Sequence, residues 1–165
     1  MKLFDLLSLP IAGKNVIVIG SPAAGKTHLA NLLYREGHKL IHTDETINAG
    51  YSIPQACYSI FEDVKDYNRQ GKATIVEGIL GYTLLLEGLK QGYYRPDIII
   101  DVQINRGRQR QIYLAERDPD NLKYLQKFQR MNLGLFNEWF NLCPPEERPQ
   151  YIEFKNEFSN EQHIN

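Results

Sequence analysis

Along this chain, short apolar runs alternate with segments whose apolar residues recur every three or four positions. That alternation predicts a parallel sheet covered by helices. Asn15-Val16-Ile17-Val18-Ile19 ends in four consecutive β-branched apolar residues, the pattern of a strand buried on both faces. Four further runs, His38–His42, Ala73–Val76, Asp97–Val102 and Tyr151–Phe154, read as strands two to five. Between them, helices are predicted from the glycine-rich turn to about Arg35, from Pro54 to Gln70, around Tyr82–Lys90, and from about Asn121 to Leu142. Leu29, Leu32 and Leu33 form the inner stripe of the first of these. Phe128, Leu135, Phe136, Trp139 and Phe140 recur at helical spacing in the last and are expected in the core. Residues 3–9 read as a short amphipathic helix packed on the sheet, and the polar residues Ser159 to Asn165 as a frayed end.

No repeat or low-complexity linker divides the 165 residues, so a single domain over 1–165 is expected. The formal net charge of −1 gives no global electrostatic case for a nucleic-acid or membrane partner. Cys57 and Cys143 stand far apart without a CxxC or a histidine-rich partner segment, which predicts two reduced thiols rather than a disulfide or zinc site. No apolar run approaches the ~20 residues of a membrane span. Asp5 interrupts the apolar N-terminal stretch that would otherwise suggest a signal peptide, and a cytoplasmic protein is expected.

The chemistry begins where the first strand ends. Gly20-Ser21-Pro22-Ala23-Ala24-Gly25-Lys26-Thr27 matches GxxxxGK[ST], with an apolar strand before it and a helix after it. Gly20 and Gly25 let the backbone curl so that successive N–H groups point inward at phosphate oxygens. The following helix brings its positive dipole end to the same place. Lys26 is expected to reach the β- and γ-phosphates of ATP or GTP, and the Thr27 hydroxyl to ligate Mg²⁺. Ala23, Ala24 and His28 complete the predicted nucleotide-binding set.

In a wound sheet, ligands sit beyond the carboxyl ends of the strands. Thr43-Asp44-Glu45 follows strand two, Glu77-Gly78 follows strand three, and Asp101 precedes the arginines at strand four. Three strand ends carrying carboxylates suit a metal-assisted phosphoryl transfer. Asp44 is the predicted base or orienter for an acceptor hydroxyl, with a turn cap as its alternative role. Glu77 is predicted to serve the magnesium site or the acceptor, its alternative being to cap a helix starting near Leu80. Arg106, Arg108, Arg110 and Arg117 crowd the next segment. On a helix, Arg106, Arg110, Tyr113 and Arg117 share a face, and an arginine-bearing lid over about 105–120 could neutralise charge on the transferring group. His28, His38 and His42 lack metal-ligand spacing, so surface or core roles are expected. An acceptor-binding region is expected over about 46–72.

These residues resemble the P-loop kinases of small molecules: the uridine kinase and phosphoribulokinase group, with zeta-toxin and polynucleotide-kinase-like relatives. The phosphate loop is the specific match; Ile41-His42-Thr43-Asp44, Ile75-Val76-Glu77-Gly78-Ile79 and Arg117-Asp118 are looser ones. The resemblance implies an α/β three-layer fold with a five-stranded parallel sheet of order 2-3-1-4-5. It also implies transfer of the γ-phosphoryl group of ATP to a small-molecule hydroxyl such as a nucleoside or sugar. Carried over, Asp44 would serve the acceptor, and Arg106, Arg110 and Arg117 would grip phosphates. The phosphate loop and its flanks also resemble ATPases that load helicases or help transposition. Those want a strand ending in Asp-Glu, whereas the strand here ends in Glu77-Gly78. A polynucleotide 5′-hydroxyl kinase would share the mechanism but needs a basic groove, which the balanced charge disfavours.

Overall fold

The computed structural model describes residues 1–22, 24–109, 111 and 122–156, with the backbone alone for residues 122–124. Five parallel strands lie in the order β2-β3-β1-β4-β5, as expected. They are β1 (Val16–Gly20), β2 (His38–His42), β3 (Ala73–Glu77), β4 (Ile98–Ile104) and β5 (Gln150–Asn156). β1 and β3, at the centre, are buried at every position. Burial on both faces is what the apolar run of β1 demanded, and in β3 it extends to the polar Thr74 and Glu77.

The sheet separates two cores. On one face, Val16, Val18, Ile75 and Ile100 pack with Leu29, Ala30 and Leu33 of α2 (Lys26–Leu33) and with Leu6 of α1 (Leu3–Leu7). On the other, Ile17, Ile19, Val76 and Ile99 pack under α4 (Ile53–Arg69), α5 (Gly81–Gln91) and α6 (Leu122–Leu142). Ser52 begins α4 with a reciprocal capping box to Gln55 and with Pro54 in the first turn, an arrangement typically worth about 1 kcal/mol.

Several boundaries differ from expectation for local reasons. α2 stops at Leu33 because Tyr34 turns extended (ψ 133°), and the Arg35 guanidinium then donates to the carbonyls of Leu32, Leu33 and Tyr34. Its inner stripe is Leu29, Ala30 and Leu33, whereas Leu32 is 37% exposed. An additional helix, α3 (Thr43–Asn48), follows β2 where only a turn was expected. In α6, Trp139 is buried and Leu135 and Phe136 pack against the core, but Phe140 lies outside it under the Arg148 guanidinium, 3.8 Å from the ring centroid. Both cysteines are buried free thiols. No described helix is long and apolar enough to cross a membrane.

Candidate active site

The turn from β1 into α2 is shaped by its two glycines. Gly25 is left-handed (φ 92°) and begins the helix. A Cβ on Gly20 would stand 2.6 Å from the Val102 carbonyl oxygen, so only glycine lets β1 pass β4 as the loop departs. Ala24 N–H donates to Ser21 O at 3.2 Å, and Lys26 Nζ donates to the same carbonyl at 3.0 Å. Two amides brace the loop from outside. Gln109 Nε2 donates to Pro22 O at 2.7 Å, and Asn156, buried at the end of β5, donates to Ala24 O at 3.1 Å. Gln129 of α6 in turn donates to Gln109 Oε1 at 2.8 Å, so α6 and the arginine segment are tied to the phosphate loop.

β3 delivers Glu77 to the N-terminus of α2. The residue is 3% exposed, yet both side-chain oxygens are engaged. Thr27 Oγ1 donates to Oε2 at 3.1 Å, and His42 Nδ1 lies 2.6 Å from Oε1. An ionised carboxylate can only accept, so the imidazole N–H is the donor in that contact. His42 and Glu77 are register partners on adjacent parallel strands, which points both side chains to the α2 face. The histidine expected to be a surface or core residue therefore holds the carboxylate at the phosphate loop. The signal for it was positional: it is the last residue of β2, beside the strand whose last residue is Glu77.

The cap at the start of α5 is built by α3. Asp44 Oδ1 accepts from Ile79 N–H at 2.9 Å, and Thr43 Oγ1 accepts from Leu80 N–H at 3.2 Å. The role weighed for Glu77, capping the chain near Leu80, thus falls to Thr43 and Asp44. Gly78 makes this approach feasible: a Cβ there would lie 2.1 Å from Thr43 Oγ1 and 2.8 Å from Asp44 Oδ1. Asp44 itself remains exposed, at the top of the β2–β3 edge.

On the other side of β1 the arrangement is different. β4 continues to Ile104, so Asp101 is inside the strand rather than at its end, opposite Ile19 of β1. Tyr151 of β5 donates its hydroxyl to Asp101. Burial pushes the Asp101 carboxyl above its ordinary range, and the hydrogen bonds from Tyr151 and Gln103 only partly oppose that. Beyond β4, Asn105 Oδ1 accepts from the N–H groups of Gly107 and Arg108 and so opens the helical turn Arg106–Gln109. Arg106 overhangs a cleft of about 370 Å³ whose wall includes Ser21, Tyr82, Asp101 and Phe136.

Lys26, Thr27 and Glu77 are therefore brought together around the α2 N-terminus, inside the loop formed by Gly20, Ala24 and Gly25. Arg106 stands on the β4 side and Asp44 on the β2 side, while His28 is exposed on α2. Ala23, Arg110 and Arg117 lie outside the described residues, as does the greater part of the expected lid.

No family model matches the chain, and no curated protein matches it. Among solved structures, thymidylate kinase from Candida albicans matches at 13% identity with a TM-score of 0.48, over 87% of this chain and 83% of that one. The likeness is one of fold alone.

Proposed function

We propose that this protein is a P-loop phosphotransferase that moves the γ-phosphoryl group of ATP or GTP to a hydroxyl of a small molecule. The observation that carries this reading is the Thr27–Glu77 pair, a hydroxyl and a buried carboxylate 3.1 Å apart at the N-terminus of the helix following GxxxxGK[ST]. Backbone N–H groups and the α2 dipole favour a polyphosphate there. Lys26, which donates to Ser21 O across the loop, would turn its ammonium toward β- and γ-phosphate oxygens.

The residues present fit Mg²⁺. Among the described residues no group of three or more His, Cys, Asp or Glu could hold a metal. Magnesium needs only one or two protein oxygens when phosphates and waters supply the rest, and Thr27 Oγ1 with Glu77 offers those hard donors. Bound there, it would neutralise charge on the transferring group. His42 fixes the Glu77 carboxylate from behind. Asp44 is proposed to orient the acceptor hydroxyl and take its proton, and Arg106, Arg110 and Arg117 to contact phosphate oxygens.

The test is a coupled assay over nucleosides, sugars and related alcohols with ATP and Mg²⁺, read by ATP consumed and by mass of the product. One acceptor should consume ATP stoichiometrically and gain a phosphoryl group. Lys26→Ala should fold and lose most nucleotide affinity along with that activity. If turnover instead responds only to DNA or to a protein partner, the phosphotransferase reading fails.

A further inference from the structure

The cleft beside β4 holds polar groups that the chain itself does not satisfy. Asp101 has no ion pair among the described residues; its recorded partners are the Tyr151 hydroxyl and Gln103, and the neighbouring Glu153 carboxylate makes its charge still less favourable. Asn132 of α6 is 8% exposed, lines the same cleft and makes no hydrogen bond among the described residues. An amide and a carboxylate that reach solvent inside a cleft are available to a ligand that displaces that water. Tyr82 stands at the same point, its phenol held protonated by burial and by the Asp101 charge, and therefore able to donate.

The remaining walls combine Gln103 and Gln129 with flat or apolar side chains. Phe136 is half-buried, edge-on to Tyr82 with centroids 6.4 Å apart, and Leu133 and Val102 extend the surface. The volume of about 370 Å³ suits a compound with one or two rings. Asp101 lines the cleft with Glu153 near it on β5, which repels an anion there and favours N–H donors. Ser21 of the phosphate loop and Arg106 also border it.

We propose that this cleft is the acceptor pocket and that it takes a nucleoside whose base carries an exocyclic amino group. The amino group donates to Asp101, Asn132 pairs with the rest of the polar edge, and the ring lies against Phe136. A planar heterocycle with a polar edge matches apolar walls that end in a carboxylate and an amide. An anionic ring substituent at that end would not be tolerated.

The assignment of the pocket to the acceptor rests on the phosphotransferase reading and requires the bound ribose to extend past Ser21 toward Asp44 on the β2 side; the binding chemistry does not. The experiment is therefore a calorimetric titration of the whole protein, without ATP, using cytidine, adenosine, guanosine, uridine and thymidine. At least one amino-bearing nucleoside should bind roughly tenfold or more tightly than uridine and thymidine, the scale of a single charge-assisted hydrogen bond. Asp101→Asn should remove that preference, and Tyr82→Phe, which keeps the ring, should weaken binding without abolishing folding. The Kd for a non-hydrolysable ATP analogue should stay within twofold in both variants. No binding by any nucleoside, or equal binding by all five, overturns the proposal. Competition between the nucleoside and the ATP analogue, with Asp101→Asn weakening both, also overturns it, because the cleft would then hold the donor's base. Nucleoside binding with the expected preference but without phosphoryl transfer would support the pocket and sink the phosphotransferase reading. Transfer to an acceptor that is not a nucleoside would do the reverse.

Discussion

Glu77 and Asp101 flank β1, one on each neighbouring strand, and the chain treats them in opposite ways. Glu77 faces α2, and both of its oxygens are held within the chain, by Thr27 and His42. Asp101 faces α5 and α6 and keeps a phenol and an amide for company, beside a second carboxylate and an Asn132 side chain that makes no hydrogen bond among the described residues. The first arrangement is finished before any ligand arrives, as suits a site that must present fixed oxygens to a phosphate-bound cation. The second leaves polar groups open to water and to whatever displaces it. One side of the sheet is thus preorganised and the other is completed by what binds.

Asp44 gives the largest effect and tests how far the finished side extends. One of its oxygens caps Ile79 N–H at 2.9 Å, a bond that an asparagine oxygen can also accept. Asp44→Asn should therefore leave melting temperature and nucleotide Kd nearly unchanged. If the carboxylate also serves the acceptor, kcat falls by on the order of 10²-fold or more. A kcat within a few-fold of the parent would reduce Asp44 to its cap.

Glu77→Gln comes next in size. An amide cannot accept from Thr27 and His42 at once, because one of its two ends is now a donor. The buried mismatch should cost roughly 1–3 kcal/mol, seen as a fall of several degrees in melting temperature. The Mg²⁺ concentration for half-maximal activity should rise by about tenfold or more. A stable variant with unchanged Mg²⁺ dependence would remove Glu77 from the metal site.

Strands and helices were legible because buried strands and amphipathic helices leave periods in the chain, and the phosphate loop because its glycines have a fixed spacing; the strand order came only with the resemblance that loop carries. Side-chain partnerships across the sheet leave no such trace. Nothing near His42 in sequence announces Glu77, which is thirty-five positions away; register brings them together. Gln109 looked like one more polar residue among arginines, yet it bonds the phosphate loop at Pro22. Asp101 was misread as a strand end because Gln103 interrupts the apolar run, although β4 continues to Ile104 by pairing with β5. Thr43 and Asp44 looked like a turn because helix α3, only six residues long, offers too little periodicity to detect.

Asp101→Asn is the smallest change and the sharpest test of the contrast, because it makes at β4 the same acid-to-amide exchange made at β3. The folded protein raises the Asp101 carboxyl above the ordinary value of 3.8, chiefly by burial. The folded state therefore binds that proton more tightly than the unfolded chain does. Its stabilising contribution is complete below about 3.8 and is lost as pH rises through the raised value. Once ionised, the parent carries a partly desolvated charge that the amide lacks, while the amide oxygen can still accept from Tyr151. The variant should consequently melt a few degrees higher than the parent at pH 7. The gap should narrow as pH falls through the raised value and vanish near pH 3.8, where both proteins are neutral at this position. Glu77→Gln should show no such gain at any pH. Paired melting curves across that range decide the matter. If Asp101→Asn instead lowers the melting temperature at pH 7, the Tyr151 bond to the carboxylate outweighs the burial cost, and β4 is as complete as β3 without a ligand.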